Sequence, residues 1–179
     1  MPSNTRTKTS IALLLVFSFV LVSLPEIGIV KADSIIYIKS DGSIVGTDKI
    51  QCDGNIYTLT DNIVNQSIVV ERFNIVINGA GYIIQGTGAS PARNKRGIQI
   101  ANPYNAPIKT SYGVTVTNVT VQGFDEGIVV FGFWGNKIDG MTIAGNNLTD
   151  NYIGIKLNSY SNYINNTIMG NYVTANHFG

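Results

Sequence analysis

The chain has 179 residues, a formal net charge of +1 and only 13% charged residues. Its cations and anions are interspersed, so it lacks the basic stripe that tracks a nucleic-acid backbone, and nucleic acid is set aside as a partner. A single cysteine, Cys52, excludes an internal disulfide framework and reads as a small residue at least half-buried, with pairing to a second chain as the alternative.

Residues 1–32 read as a secretory signal peptide. Arg6 and Lys8 give a basic start, Ile11 to Leu24 is an apolar or small-residue run of 14, and Pro25-Glu26 breaks it. Val30-Lys31-Ala32 then places small residues where cleavage is expected. A membrane-spanning helix needs roughly 20 apolar residues, so the run is short for an anchor. Ile27 to Val30 resumes the apolar character and keeps an uncleaved anchor open. Either way the chain is expected outside the cytoplasm, secreted or at the cell surface.

Without Arg6, Lys8, Lys31 and Glu26, residues 33–179 carry nine basic and ten acidic side chains, a net of −1. That length suffices for one domain with a continuous core. Asn, Gly, Thr, Ile and Val dominate, while good helix formers are scarce, which argues for strand and turn. Strand signals bounded by Gly, Asn and Asp recur at Ile35–Ile38, Ile56–Leu59, Ile68–Val70, Asn74–Ile77 and Tyr82–Ile84. The polar section from Ser34 to Asn55, with two Asp-Gly turns, is expected to cover the first open end of a repeat array. The expected organisation is a cap with entry strands over 33–72 and repeat turns over 73–179.

After Gly88 the rhythm breaks. Ala89 to Arg96 holds three cations and a proline and reads either as a solvated loop or as a basic lip that grips an acidic glycan. Gly97–Ile100 restores a strand, Asn102–Lys109 is a second loop, and Val114–Val116 and Val119–Val121 resume the pattern. From Gly127 one pattern is written twice: Asn136-Lys-Ile138, Met141-Thr-Ile143, Gly145-Asn146-Asn-Leu148-Thr149, Asn151 and Gly154-Ile155, then Asn162-Tyr-Ile164, Ile168-Met169, Gly170-Asn171-Tyr-Val173-Thr174, Asn176 and Gly179. Aligned Gly97, Gly127, Gly154 and Gly179 stand 30, 27 and 25 residues apart. A period in the twenties with Asn and Gly at tight corners, where the left-handed backbone is tolerated, is the mark of a solenoid. The fold expected is all-β, a single-stranded right-handed parallel β-helix. With strands about 4.8 Å apart, five or six circuits would span on the order of 25 Å.

Tyr57-Thr-Leu-Thr-Asp-Asn-Ile63 and Ile68 to Gly86, above all Asn74-Ile-Val-Ile-Asn-Gly-Ala-Gly-Tyr82, resemble the entry turns of the NosD-like family. These are right-handed parallel β-helix repeat proteins of the carbohydrate-binding and sugar-hydrolase type, common among archaeal secreted proteins. The resemblance covers most of residues 35–179. It implies the fold and an extracytoplasmic setting, and implies chemistry only weakly, because one fold hosts many functions.

The family name suggests copper, which draws on His, Cys and Met. His177, Cys52, Met141 and Met169 are scattered, so no metal or cofactor is expected; the two methionines read as packing and His177 as a corner residue. Glycosidases need two carboxylates facing across the scissile bond. Asp125 and Glu126 are adjacent and read as a turn before Gly127, with Asp139 and Asp150 elsewhere, so no catalytic residue is assigned. Four Asn-x-Ser/Thr triplets, at Asn65, Asn118, Asn147 and Asn165, read first as turn residues.

Three or four residues beyond each aligned Gly-Ile strand stand Tyr104, then Phe133 and Trp134, then Tyr160. An aromatic at the same corner of consecutive circuits could form a platform for an extended glycan, or an interior stack. These four are the candidate ligand-binding residues, and the expected partner is a polysaccharide or cell-envelope glycan. The alternatives are a fragment of a lyase- or glycosidase-like enzyme and a structural envelope protein. Ile138, Ile143, Leu148, Ile155 and Leu157 are expected to point inward, with Ile164, Ile168, Val173 and Phe178 beneath them. The chain stops one residue before the Ile that the pattern demands, so a fragment with an open, poorly soluble edge is expected.

Overall fold

The computed structural model describes residues 34–90, 94–101, 112–132, 138–159 and 162–179. Residues 1–32, read from the sequence as a signal peptide, therefore lie outside the described residues. The chain divides into two units, 1–32 and 33–179, and every described residue belongs to the second.

Among the described residues every regular element is a strand. The first stretch contributes β1 (Ser34–Ile38), β2 (Ile44–Val45), β3 (Ile50–Asp53), β4 (Ile56–Leu59) and β5 (Ile63–Val64). A circuit of β6 (Gln66–Val70), β7 (Val76–Asn78) and β8 (Ile83–Gln85) comes next, then β9 (Arg96–Ala101), β10 (Thr115–Thr117) and β11 (Thr120–Gln122). The third is β12 (Glu126–Gly132), β13 (Ile138–Asp139), β14 (Thr142–Ala144) and β15 (Asn147–Thr149). The last is β16 (Ile153–Ser159), β17 (Tyr163–Ile164), β18 (Thr167–Met169) and β19 (Tyr172–Thr174).

From β4 onward, strands that succeed one another in sequence lie in different sheets. Sheet A is ordered β16-β12-β9-β6-β1-β2, sheet B is β18-β14-β10-β7-β4-β3, and sheet C is β19-β15-β11-β8-β5. Strands β13 and β17 pair separately. All pairings are parallel except at one edge, where β2 lies antiparallel to β1 and β3 antiparallel to β4. The polar Ser34–Asn55 section thus supplies hairpins that cover the first edge of sheets A and B, which would otherwise offer unpaired backbone groups.

The core is a set of in-register columns. In sheet A, Ile36, Ile68, Ile98, Ile128 and Ile155 stack, as do Ile38, Val70, Ile100, Val130 and Leu157. Sheet B contributes Tyr57, Ile77, Val116, Ile143 and Ile168, and sheet C contributes Ile63, Ile84, Val121, Leu148 and Val173. Pairing of Ile98 with Ile128 and of Ile128 with Ile155 reproduces the spacings of 30 and 27. β-Branched side chains suit such columns because like packs on like across a parallel ladder.

Burial corrects the expected core in its last circuit. Ile138, Ile143 and Leu148 are fully buried, and Ile155 and Leu157 are half-buried against the core. Ile168 and Phe178 are 49% and 54% exposed, and Ile164 is half-buried. These side chains have a neighbouring circuit on one side only. Met169 is also exposed, because within β18 Ile168 takes the inward column and Met169 faces out in register with Ala144. Met141 is buried, as its pattern position implied. Cys52 is exposed on the covering strand β3, with its Sγ turned to Gly54 O at 3.6 Å. A residue on an edge hairpin has solvent on its outer side, so the expected burial does not arise.

Candidate functional site

The outer faces of the sheets differ in chemistry. The parallel strands of sheets B and C carry no charged residue; their outward positions are filled by side chains such as Thr115, Thr142, Thr120, Gln85 and Gln122. Apart from Asp53 on β3 and Asp139 on β13, the charges of the strands gather on sheet A, where Arg96, Glu126 and Lys156 come from the neighbouring strands β9, β12 and β16.

Glu126 is the centre of this cluster. Arg96 Nε donates to its Oε2 at 2.7 Å and Lys156 Nζ donates to its Oε1. Burial alone pushes the Glu126 carboxyl upward, but Lys156 and Arg96 together outweigh it and hold it below the usual glutamate range. The Arg96 guanidinium also lies over the Phe131 ring, 4.8 Å from its centroid, and donates through Nη1 to Gln99 Oε1 at 3.2 Å. Charge on one side, an amide on another and a ring face beneath fix the plane of that guanidinium.

Asp125 does a different job. It is buried, and its carboxylate accepts the backbone N–H of Ser90 and that of Lys95 at 2.6 Å, so it clasps both ends of the cation-bearing segment. The expected turn at Asp125-Glu126 is therefore a buried clasp followed by the first residue of β12. Asp139 accepts from Asn165 Nδ2 at 3.2 Å. Among the described residues, no three His, Cys, Asp or Glu side chains converge.

Beside Arg96 the outer face of sheet A is hollowed into a groove of about 210 Å³. Ile35 and Val69 give its lining an apolar part, and Ser67, Asn94 and Gln99 add hydroxyl and amide groups. Lys95 and Arg96 also line it, with Lys95 Nζ donating to Thr87 Oγ1 at 2.9 Å.

The aromatic candidates Tyr104, Phe133, Trp134 and Tyr160 lie outside the described residues. What the structure places is the backbone from which they depart. Ala101 pairs with Phe131 and Gly132 pairs with Ser159, so β9, β12 and β16 run out together at one edge of sheet A. Near that edge Tyr112 is buried and donates its OH to Phe131 O at 2.7 Å, and burial pushes its phenol up to about 12. His177 stacks on Tyr152, with ring centroids 4.7 Å apart.

Sequence reasoning missed the Arg96–Glu126–Lys156 cluster, although the alignment of the repeats held a signal for it. Arg96 and Glu126 each immediately precede an aligned glycine, so opposite charges meet wherever those strands pair. No protein-family model, curated protein or solved structure matches the chain.

Proposed function

We propose that this chain is a secreted right-handed parallel β-helix protein that binds polysaccharide, without cleaving it, along sheet A. One observation carries the reading: β9, β12 and β16 end in register, and the segment after each bears an aromatic residue, Tyr104, Phe133–Trp134 and Tyr160. Sugar rings stack their apolar faces on aromatics, and a ladder of such residues at the strand spacing suits an extended glycan. The β-helix reading draws on the rotation of successive strands through sheets A, B and C, and right-handedness on the strong bias of parallel crossovers. Secretion draws on the basic and apolar character of residues 1–32. A binding role without cleavage draws on the engagement of Asp125, Glu126 and Asp139 by amides and cations of the fold itself.

Trp134 is the only tryptophan, so its fluorescence reports on the segment after β12 alone. Titration with a panel of neutral and acidic polysaccharides is expected to shift its emission with at least one of them, and Trp134→Ala is expected to lose retention on that polymer while keeping its melting temperature. If no polymer perturbs the emission, and Trp134→Ala lowers stability without changing retention on cell-wall material, the aromatics are packing and the reading falls.

A further inference from the structure

The fold treats the Asn-x-Ser/Thr triplets at Asn65, Asn118, Asn147 and Asn165 very differently. Asn147 lies within β15, half-buried, and its Oδ1 is enclosed without a hydrogen-bond partner among the described residues, so its carboxamide lies against the fold. Asn165 is exposed, but its Nδ2 donates to Asp139 Oδ1 at 3.2 Å. Asn65 is exposed over a hollow of only about 30 Å³, which Lys95 and Phe124 help to line.

Asn118 has room around it. It is exposed at the left-handed corner between β10 and β11, with φ 55°. Its neighbours along the stack are glycines. On one side Gly81 N donates to Asn118 O at 2.8 Å, and on the other Gly145 follows Ala144, the partner of Thr117. A Cβ on Gly81 would meet nothing within 4 Å, and one on Gly145 only Thr117 Oγ1 at 3.8 Å. The open hollow at this corner, about 90 Å³, is lined by Asn118 and Thr120 together with both glycines. Residues two apart on a strand face the same side, and Val119 between them is buried. The amide and the hydroxyl of this triplet therefore present themselves to solvent together, with no side chain from the neighbouring glycines in the way.

We propose that Asn118 is an acceptor for an N-linked glycan. The donor is an oligosaccharide carried on a polyprenyl pyrophosphate. Asn118 Nδ2 forms the bond to C1 of the first sugar, the C1–O bond to the carrier phosphate breaks, and the proton lost by the amide leaves with the phosphate. No oxidant or reductant takes part. Such transfer occurs on the far side of a membrane, so the proposal draws on the reading of residues 1–32 as an export signal. A glycan at this corner hydrates the junction of two sheets whose parallel strands bear no charge.

The test incubates the folded whole chain with a polyprenyl-pyrophosphate-linked oligosaccharide and an oligosaccharyltransferase that recognises Asn-x-Ser/Thr. It needs no export and so separates the site from the reading of residues 1–32. Peptide mass spectrometry is expected to find the oligosaccharide at Asn118 and Asn147 bare, with the melting temperature of the modified chain unchanged. In the denatured chain, where the fold no longer selects, both should be modified. Thr120→Val keeps a branched side chain in β11 and leaves Asn118 in place, and it should abolish the mass gain at Asn118 without lowering the melting temperature. An Asn118 that stays bare in the folded chain but is modified in the denatured one overturns the proposal. So does a folded chain modified as readily at Asn147 as at Asn118, or a mass gain at Asn118 that survives Thr120→Val.

Discussion

Asparagine carries more of this structure than its tolerance of turns would suggest. At the corners the left-handed residue is Asn118, Gly123, Gly140, Gly145, Asp150, Asn165, Gly170 or Ala175, with φ between 52° and 73°. After five of these, Gly145, Asp150, Asn165, Gly170 and Ala175, the next residue is an asparagine whose side chain builds a ladder. Asn151 Nδ2 donates to Val121 O at 2.9 Å and its Oδ1 accepts from Phe124 N at 3.1 Å, while its own N–H donates to Asn176 Oδ1 at 2.9 Å. Asn146 repeats the arrangement with Val116 O, Val119 N and Asn171 Oδ1. A carboxamide suits the place because one end donates and the other accepts, so each satisfies two backbone groups that the corner leaves unpaired. Asn151→Ala is expected to cost roughly 2 to 6 kcal/mol in chemical denaturation, since two buried backbone groups lose partners at about 1 to 3 kcal/mol each. A loss within about 0.5 kcal/mol, the surface range, would show that water replaces the ladder freely. Glu126 gives a pH signature. Its folded carboxyl sits below the ordinary 4.5, so its contribution is present above that value and is lost as pH falls through the lower folded value. Glu126→Gln should cost roughly 1 to 3 kcal/mol at neutral pH and flatten the acid limb of the stability profile. An acid limb of unchanged steepness in the variant would mean that other carboxylates set it.

Individual strands here are only two to seven residues long, and none could stand alone. Each is defined by the one below and above it, which is why column position predicts the effect of a substitution better than residue type. Ile143 and Ile168 share a column in sheet B, yet Ile143 is fully buried and Ile168 is 49% exposed. Ile143→Ala is expected to destabilise by roughly 2 to 5 kcal/mol, and Ile168→Ala by less than half of that. Equal losses measured by denaturant titration would show that the last circuit is covered as fully as its neighbour. The aligned glycines obey the same column logic for a different reason. A Cβ on Gly127 would lie 2.6 Å from Gly154 O, and one on Gly97 2.6 Å from Gly127 O. These two glycines admit the backbone of the next circuit.

Stability should be graded along the stack. One edge of sheets A and B is closed by the antiparallel strands β2 and β3, while in this chain β16, β18 and β19 are the other edge. Exposed large side chains concentrate there: Tyr163, Ile168, Met169, Tyr172 and Phe178. Native-state hydrogen exchange should accordingly find the slowest amides in β9, β10, β11 and β12, which have a parallel neighbour on both sides, and much faster ones in β18 and β19. Uniform protection from β4 to β19 would mean that the whole stack opens only as a unit.

Much of this was readable from residues alone. Apolar alternation in runs of three to six, the shortening period, and Gly or Asn at fixed offsets specified strand identity, parallel stacking and the register of Gly97 on Gly127 on Gly154, because these depend on local backbone preference and on like packing on like. Burial in the final circuit was not readable, since inward position and coverage are separate properties and only neighbours supply the second. The ladder role of Asn146 and Asn151 was hidden behind their turn propensity. The gathering of Arg96, Glu126 and Lys156 came from outside any local pattern. Residues 30 apart in sequence meet across a single strand spacing only when the chain completes a circuit, so their chemistry exists only in the tertiary structure.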